Sequence, residues 1–504
     1  MANASREGVN NDAQLAYHMS LLRIHGDNEQ EDQTRLAPTF TGPLLRQPDL
    51  VPSQFGLLAG LKRIQHPELI HPTDEEIERD PRVFFNVSSP SSAFICGSQG
   101  SGKSHTLSCL IEGCLLKSNA GRLSNPLTAI VFHYDVFICD GGGSPCEAAF
   151  LASQPGIKAR VLCAPTNLRT IQRTYSRFNI QVEPLQIDQN NLNTKRMLDL
   201  MAVGQEKGTV PLYMHTVQRI LREMRLLQQE TGSQFDYHSF KRQVLDADLL
   251  PSQLEPLKQR LETLESFMPR QQVTLGKHSG NPKGKSKTRV GGSSWVPESS
   301  QLTIVDLSCP CISPDTACSL FNICFEIFME QDTNVGRVVA LDEAHKYMKD
   351  SIESHNFTST LLSTVRLQRH LGARIFISTQ EPTISSDLLS LCSITIVHKF
   401  SSPAWLRVLE GHVAAAALGA QPGGKAPNKA EGGSLAPEIS SKYSFINQIV
   451  NLSVGEALLF APGAILISTG EDSRPQRRCK LGAGYMVVKI RERLTEDGGR
   501  SVLA

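Results

Sequence analysis

The sequence has no excess of charge of either sign, although it is 504 residues long. Its 51 lysines and arginines balance 50 acidic residues, which gives a formal net charge of +1. A global positive field that would draw the whole chain onto nucleic acid is therefore absent. A pore that contacts DNA needs only a few lysines or arginines in each subunit, so a local DNA contact is not excluded.

Long apolar runs, a secretory leader and closely paired cysteines are also missing. No uncharged apolar run reaches the 18 residues of a membrane span, and residues 1–6 lack the apolar core of a signal peptide. The twelve cysteines are scattered, mostly in apolar segments, and none forms a C-x-x-C pair. These features predict an intracellular protein, cytoplasmic or nuclear, with reduced thiols and no zinc site.

A glycine-rich segment has the G-x-x-x-x-G-K-S pattern of a nucleotide phosphate loop. Its residues are Gly97, Ser98, Gln99, Gly100, Ser101, Gly102, Lys103 and Ser104. An apolar run at 93–96 predicts a buried strand before it, and helical spacing of apolar residues predicts a helix after it. In this context the glycine backbone cradles phosphates, Lys103 reaches the β- and γ-phosphates, and Ser104 ligates Mg²⁺. The segment therefore predicts a nucleoside triphosphate and Mg²⁺ as ligands.

A second motif, at 338–343, reads as a buried strand that ends in two acids. Asp342 would hold the hydration shell of Mg²⁺, and Glu343 would orient the attacking water or take its proton. Residues 342–345 also spell the signature of another helicase class. The separation of about 240 residues from Lys103 and the missing Ser-Ala-Thr motif argue against that class. His345 is therefore predicted to be a local hydrogen-bonding residue.

Two further features predict groups that act on the γ-phosphate. Residues 374–380 read as a strand, and Gln380 at its end would contact the γ-phosphate or the water, because strand ends converge on the ligand crevice. Arg366 and Arg369 lie three apart on one predicted helical face, and Arg407 is a third candidate. One of these arginines could reach the nucleotide of a neighbouring subunit. A solvated surface role is an equal alternative for each.

In the order and spacing of these motifs the chain resembles the HerA/FtsK group of P-loop ATPases, and HerA-like hexameric DNA translocases most closely. Arg366 and Arg369 match its arginine-bearing helix. The matching segments are 302–308, 340–345, 365–370 with these two arginines, 378–385 and 453–458. The resemblance implies an α/β fold with a RecA-like core and a mainly parallel sheet. That core belongs to the ASCE subclass, which has a catalytic glutamate and an extra strand between the two Walker strands. ATP, assembly into a ring of six subunits and DNA threaded through the pore are implied as well.

Composition and periodicity divide the chain into six predicted segments. They are a disordered N-terminal segment at 1–50, the first part of the ATPase core at 51–190, a helical insertion at 191–270, a flexible basic loop at 271–300, the second part of the core at 301–490, and a C-terminal tail at 491–504. Residues 1–80 show no run of alternating strands that would indicate the small β-barrel common before HerA-type motors.

The motifs leave three functions open. The first is a ring-forming ATPase that translocates double-stranded DNA and has itself and DNA as partners, with no membrane. The second is an ATP-dependent switch or scaffold for a protein partner, and the third is an ATPase that moves protein. Glu343 favours a hydrolysing enzyme, because a protein that only binds nucleotide does not need an acid to activate water.

Overall fold

The computed structural model describes residues 17–18, 27–66, 74–201, 212–273, 291–332, 334–413, 416, 445–468 and 477–496. Most of the predicted basic loop and the end of the predicted tail lie outside the described residues. The strands, helices and contacts of the fold given below all lie within the described residues.

The described strands belong to one sheet. They are β1 (Thr39–Thr41), β2 (Phe55–Gln65), β3 (Arg82–Asn86), β4 (Ser92–Cys96), β5 (Gly121–Arg122), β6 (Thr128–His133), β7 (Lys158–Cys163), β8 (Gln181–Pro184), β9 (Gln301–Asp306), β10 (Arg337–Leu341), β11 (Ala373–Thr379), β12 (Ile394–Val397), β13 (Glu456–Phe460), β14 (Ile465–Ser468), β15 (Arg477–Lys480) and β16 (Tyr485–Ile490).

Helices connect and cover these strands. They are α1 (Asp27–Arg35), α2 (Asp74–Arg79), α3 (Lys103–Leu115), α4 (Leu168–Thr174), α5 (Thr194–Met201), α6 (Leu212–Thr231), α7 (Tyr237–Leu245), α8 (Pro251–Ser266), α9 (Arg270–Val273), α10 (Pro314–Glu330), α11 (Ile352–Leu371), α12 (Ser386–Leu391) and α13 (Pro403–His412). The helices α5 to α8 lie in the stretch predicted as a helical insertion.

Two composition-based expectations can be compared with the structure. Within the described part of the chain, no helix is both long enough and apolar enough to cross a membrane. Each of the twelve cysteines is a free thiol, and most of them are buried. The buried cysteines therefore act as small apolar core residues rather than as cross-links.

The order of the parallel strands defines the fold class. One half of the sheet has the order β12-β4-β11-β10-β6-β9-β7-β8, and every neighbouring pair in it is parallel. The strand β11 lies between β4, which precedes the phosphate loop, and β10, which precedes the two acids. The predicted RecA-like α/β core with an extra strand between the Walker strands is confirmed.

Helices cover both faces of the parallel strands, because successive side chains of a strand point to opposite faces. On β4, Phe94 and Cys96 belong to the core that also contains α10, α11 and the helices α5 to α8. Ala93 and Ile95 belong to the core on the other face, which contains α3. This two-sided burial fixes the strand that carries the phosphate loop.

The other half of the sheet is largely antiparallel and corrects two expectations. Residues 27–50 are not disordered, because β1 pairs with β3 and Phe40 packs against Phe55 and Phe84 in a small core. The strands β1 and β2 also lie within residues 1–80, where the sequence showed no run of alternating strands. Much of β2 is buried on both faces, so its sequence lacks the polar–apolar alternation that would have revealed a strand.

The segment 491–496 is bound to α3, the helix that follows the phosphate loop. The Arg491 guanidinium donates to Glu112 Oε2 at 2.7 Å and to Cys109 O at 3.1 Å. The backbone N–H of Leu494 donates to the same carboxylate. Glu112 is fully buried, so these donors compensate its charge. This part of the predicted C-terminal tail is therefore packed on the core.

Replacing Arg491 with methionine should destabilise the protein strongly, by about 3 kcal/mol, because the buried Glu112 carboxylate loses its cation. The free energy of unfolding in urea measures the effect. The control is Lys158→Met, which breaks the exposed pair between Lys158 and Glu298 and should leave the unfolding midpoint unchanged. Equal midpoints for the two variants would contradict a stabilising role for the Arg491 contact.

Candidate nucleotide site

The phosphate loop turns at three glycines whose φ angles are positive. These angles are +151° at Gly97, +74° at Gly100 and +111° at Gly102, and glycine adopts such angles without steric cost. Gly102 precedes α3 and no side chain caps the helix there. The backbone N–H groups of the first turn are thus directed at the loop, as an anion site at a helix N-terminus requires.

The loop is packed against a second glycine turn. A Cβ atom at Gly102 would lie 3.2 Å from both Cα and N of Gly455, and Gly455 N donates to Ser101 O at 3.2 Å. Gly455 belongs to the segment 453–458, which matched the HerA/FtsK pattern in the sequence. The close approach explains glycine at position 102, and a φ angle of +77° favours glycine at position 455.

Lys103 lies within the loop with its side chain almost fully buried. Its ammonium group donates to Ser98 O at 3.1 Å. Burial lowers the pKa of Lys103, although the carboxylates of Glu343 and Asp342 favour its charged form. The predicted phosphate-binding cation and the predicted catalytic acids therefore share one site.

A histidine that the sequence analysis did not assign supports the base of the loop. His398 follows β12, and its Nδ1 donates to Glu456 O at 2.9 Å. Its Nε2 lies 2.8 Å from the hydroxyl of Thr106 in α3. Burial lowers the pKa of His398 to about 3, so the ring is neutral at physiological pH and Nε2 accepts a hydrogen bond. The only signal in the sequence was a polar residue at a strand end.

Asp342 lies at the carboxyl end of β10 and is almost fully buried. Its Oδ2 accepts a hydrogen bond from His133 Nδ1 at 3.1 Å, whereas its Oδ1 has no partner among the described residues. Burial favours the protonated acid, but the hydrogen bond from His133 and the charges of His133, Lys346 and Lys103 together outweigh it, so the pKa of Asp342 is lowered. An ionised carboxylate with one free oxygen fits the predicted role at the hydration shell of Mg²⁺. Ser104, the other predicted ligand, lies half-buried in the first turn of α3.

Glu343 has a strained backbone and is in contact with two polar side chains. Its φ angle is +50°, which is uncommon for a residue with a Cβ atom. Its Oε2 lies 3.4 Å from Gln380 Nε2 and 3.3 Å from His345 Nδ1. The backbone N–H of Gln380 donates to His345 Nδ1, and burial lowers the pKa of His345. The neutral His345 thus has the local hydrogen-bonding role predicted for it.

Arg366 and Arg369 do not lie at this site. Both are exposed near the end of α11, which leads into the amino end of β11. Arg369 lines a cavity together with Ser88 and Pro90, which precede β4. The phosphate loop lies at the opposite edge of the sheet, so neither arginine can reach a phosphate held by its own chain. Their action on a neighbouring subunit stays a prediction.

A buried cluster around Asp342 was not assigned from the sequence. Leu341 pairs with Phe132 in the sheet, so His133 at the end of β6 lies beside Asp342. His133 Nε2 lies 3.2 Å from Ser144 O, and Cys146 Sγ lies 3.8 Å from Asp342 Oδ2. Among the described residues, His133, Cys146 and Asp342 are also the one group with ligand atoms close enough to hold a metal ion.

Hydrogen bonds engage both nitrogens of His133, the thiol of Cys146 and Oδ2 of Asp342, whereas Oδ1 of Asp342 has no partner among the described residues. Both partners of His133 are oxygen acceptors, so both ring nitrogens carry hydrogen. Burial opposes the charge, but the hydrogen bond to Asp342 together with the contacts of Cys146 and Asp306 outweighs it, so the pKa of His133 is raised well above its usual range. Burial raises the pKa of the Cys146 thiol to about 11, so this sulfur is protonated and donates. The cluster is therefore an ion pair with a neighbouring thiol.

The sequence matches no protein-family model, and no curated protein sequence matches it. Similar solved structures include VirB4 of Thermoanaerobacter pseudethanolicus, with 13% identity, 87% of this chain and 97% of that chain covered, and a TM-score of 0.45. The bacterial conjugative coupling protein TrwB has 13% identity, coverage of 79% and 88%, and a TM-score of 0.41. The genome packaging NTPase B204 from Sulfolobus turreted icosahedral virus 2 has 8% identity, coverage of 78% and 96%, and a TM-score of 0.28.

The RecA-like assignment itself rests on the order of the strands, in which β11 separates β4 from β10. The function proposed below rests on the side chains that this order brings together.

Replacing Gly102 with alanine should weaken nucleotide binding by about ten-fold or more, because a left-handed alanine costs roughly 1–2 kcal/mol and its methyl group pushes against Gly455. Titration with a fluorescent ATP analogue measures the affinity. The control is Gly411→Ala in α13, where a Cβ atom would meet nothing within 4 Å and the affinity should not change. Unaltered binding by the Gly102 variant would show that the loop does not hold the phosphates in this conformation.

Proposed function

We propose that this chain is an ATPase of the HerA/FtsK type that translocates double-stranded DNA as a ring oligomer, with six subunits as its resemblance implies. The observation that carries the proposal is the meeting of four predicted elements at one edge of the sheet. These are the phosphate loop after β4, the acids Asp342 and Glu343 after β10, and Gln380 after β11. A protein that only binds nucleotide does not need Glu343 and Gln380.

The phosphate loop and Asp342 would bind the nucleotide phosphates and the magnesium ion. The N-terminus of α3 and the Lys103 ammonium group attract the phosphates. Asp342 and Ser104 would hold Mg²⁺ through the free carboxylate oxygen and the hydroxyl group, and their oxygen donors fit that ion. When bound, Mg²⁺ neutralises charge that develops on the phosphates.

Glu343 and Gln380 would carry out the hydrolysis step. Glu343 would orient the attacking water and accept its proton, and Gln380 would donate a hydrogen bond to the γ-phosphate or to the water. The contact between their side chains aligns the two groups before a substrate arrives. The strained backbone of Glu343 is typical of residues that are held in place for chemistry.

The exposed arginines of α11 support an arrangement in which subunits complete each other's sites. Arg366 and Arg369 face solvent and lie far from the loop of their own chain, so they could act only on a neighbour. The motif resemblance supports double-stranded DNA as the moved polymer. Because the net charge is only +1, DNA would be held by local basic groups rather than by a global field.

Replacing Glu343 with glutamine should abolish hydrolysis and leave ATP binding in place, because the amide cannot accept the proton of water. We expect kcat to fall by about 10²- to 10⁴-fold, with the dissociation constant of ATP changed by less than about three-fold. Steady-state phosphate release and a binding titration measure the two quantities. Lys103→Ala serves as the comparison, since it should lose binding itself. Turnover that survives in the glutamine variant would remove Glu343 from the role of general base.

The ATPase rate with and without double-stranded DNA tests whether DNA is the polymer that the protein moves. A DNA motor should hydrolyse ATP several-fold faster with linear duplex DNA, and the stimulation should weaken as salt screens the phosphate contacts. The Lys103→Ala protein is the control for contaminating ATPases. Slow turnover that ignores DNA would contradict the DNA motor and favour a switch or a protein-moving ATPase.

A further inference from the structure

The carboxylate of Asp342 has two oxygens in very different surroundings. Oδ2 is held by His133 Nδ1 at 3.1 Å and approached by Cys146 Sγ at 3.8 Å. Oδ1 is buried without a hydrogen-bond partner among the described residues. A bond to one oxygen fixes the rotation of a carboxylate about its last torsion, which otherwise has a broad minimum. The His133 contact therefore decides where the unpaired oxygen points.

The His133 ring is itself fixed from its other side. Its Nε2 donates to the main-chain oxygen of Ser144 at 3.2 Å. Ser144 is held in turn, because its N–H donates to Asp135 Oδ2 at 3.0 Å, and the second oxygen of Asp135 accepts from Phe137 N at 3.1 Å. The ring thus spans a fixed backbone oxygen and Asp342, with a donor at each end.

Cys146 is anchored by a second chain of hydrogen bonds. Its N–H donates to the Tyr175 hydroxyl at 2.9 Å, and that hydroxyl donates to Asp306 Oδ2 at 2.7 Å. Asp306 ends β9 directly beside His133 in the sheet. Both groups that contact Asp342 Oδ2 are therefore immobilised by partners on neighbouring elements.

We propose that His133 is a positioning residue for nucleotide-bound magnesium, which holds Asp342 so that its free oxygen faces the hydration shell of the ion. This inference rests on the proposed ATP-binding function. Such outer partners of metal-binding carboxylates and histidines commonly change metal affinity by about 10- to 100-fold. Without the bond, the carboxylate is free to turn toward Lys103 or Lys346, both of which attract it.

Two substitutions separate the two ends of the ring. Asparagine places its amide nitrogen near the position of Nδ1, so His133→Asn retains a donor for Asp342 and loses the one for Ser144. Glutamine places its nitrogen near Nε2, so His133→Gln retains the Ser144 contact and loses the one to Asp342. The two variants remove the same ring and the same charge, so they differ in which contact they keep.

The measurement is the Mg²⁺ concentration that half-saturates binding of a fluorescent ATP analogue. We expect His133→Gln to need about ten-fold more Mg²⁺ than His133→Asn, with equal affinities for the analogue in EDTA. Equal Mg²⁺ requirements for two folded variants would overturn the proposal. A wild-type protein that binds no nucleotide would instead contradict the proposed function, so the two failures are distinguishable.

Thermal unfolding without nucleotide shows whether both variants fold. If either does not, the wild-type protein labelled with ¹⁵N in its histidine rings gives a second measurement. Adding Mg²⁺ to the ATP-bound protein should shift the signals of a histidine that is protonated on both nitrogens, and ATP with EDTA should not. Absence of such a Mg²⁺-dependent shift would overturn the proposal.

Discussion

The register of four neighbouring parallel strands is the constraint on which the site depends. Leu341 pairs with Phe132 and Thr379 pairs with Cys96, so the residue after each strand end comes to the same edge of the sheet. Polar side chains placed one position beyond a buried strand thereby meet without further loops to guide them. A slip of one residue between β10 and β6 would separate Asp342 from His133 and would move every side chain of the slipped strand to the opposite face of the sheet.

Burial gives this edge its electrostatic character. Charged groups removed from water are costly unless they are paired, and here Lys103, Asp342 and His133 lie close enough to compensate one another. The low dielectric also strengthens each remaining interaction. The unpartnered Oδ1 of Asp342 is then the point at which the network is incomplete, and a hydrated cation is the group that would complete it.

Local segments could be recognised from the sequence because each carries its chemistry within a few residues. The phosphate loop needs its glycines and Lys103 in one turn, and a buried strand followed by two acids is visible without tertiary information. The order of the core strands followed from the resemblance. Contacts between distant segments could not be recognised in this way. His133 and Asp342 are 209 residues apart, and Thr106 and His398 are 292 apart.

The N-terminal strands were missed for a related reason. The prediction of disorder relied on a polar composition, whereas β1 is only three residues long and gains its stability from partners elsewhere in the chain. It pairs with β14 on one side and β3 on the other, and Phe40 is fully buried between them. Burial of several apolar side chains of this segment in the small core, Ala37, Phe40, Leu44, Leu50 and Val51, together with the strand pairing of β1, offsets the cost of ordering it. The composition of the segment alone does not show that a core from the rest of the chain covers it.

The helix α11 connects β10 to the amino end of β11, and these are the two strands whose carboxyl ends carry the proposed hydrolytic groups. It follows Glu343 in the chain and leads into β11, whose end carries Gln380, and the side chains of Glu343 and Gln380 are in contact. Its exposed face presents Arg366 and Arg369. A neighbouring subunit that binds this face would push on the helix that connects β10 to β11. A rigid helix packed in the core carries such a displacement along its length. In the proposed ring, the same helix would offer a surface to a neighbouring subunit and would connect that surface to the segment that carries Glu343.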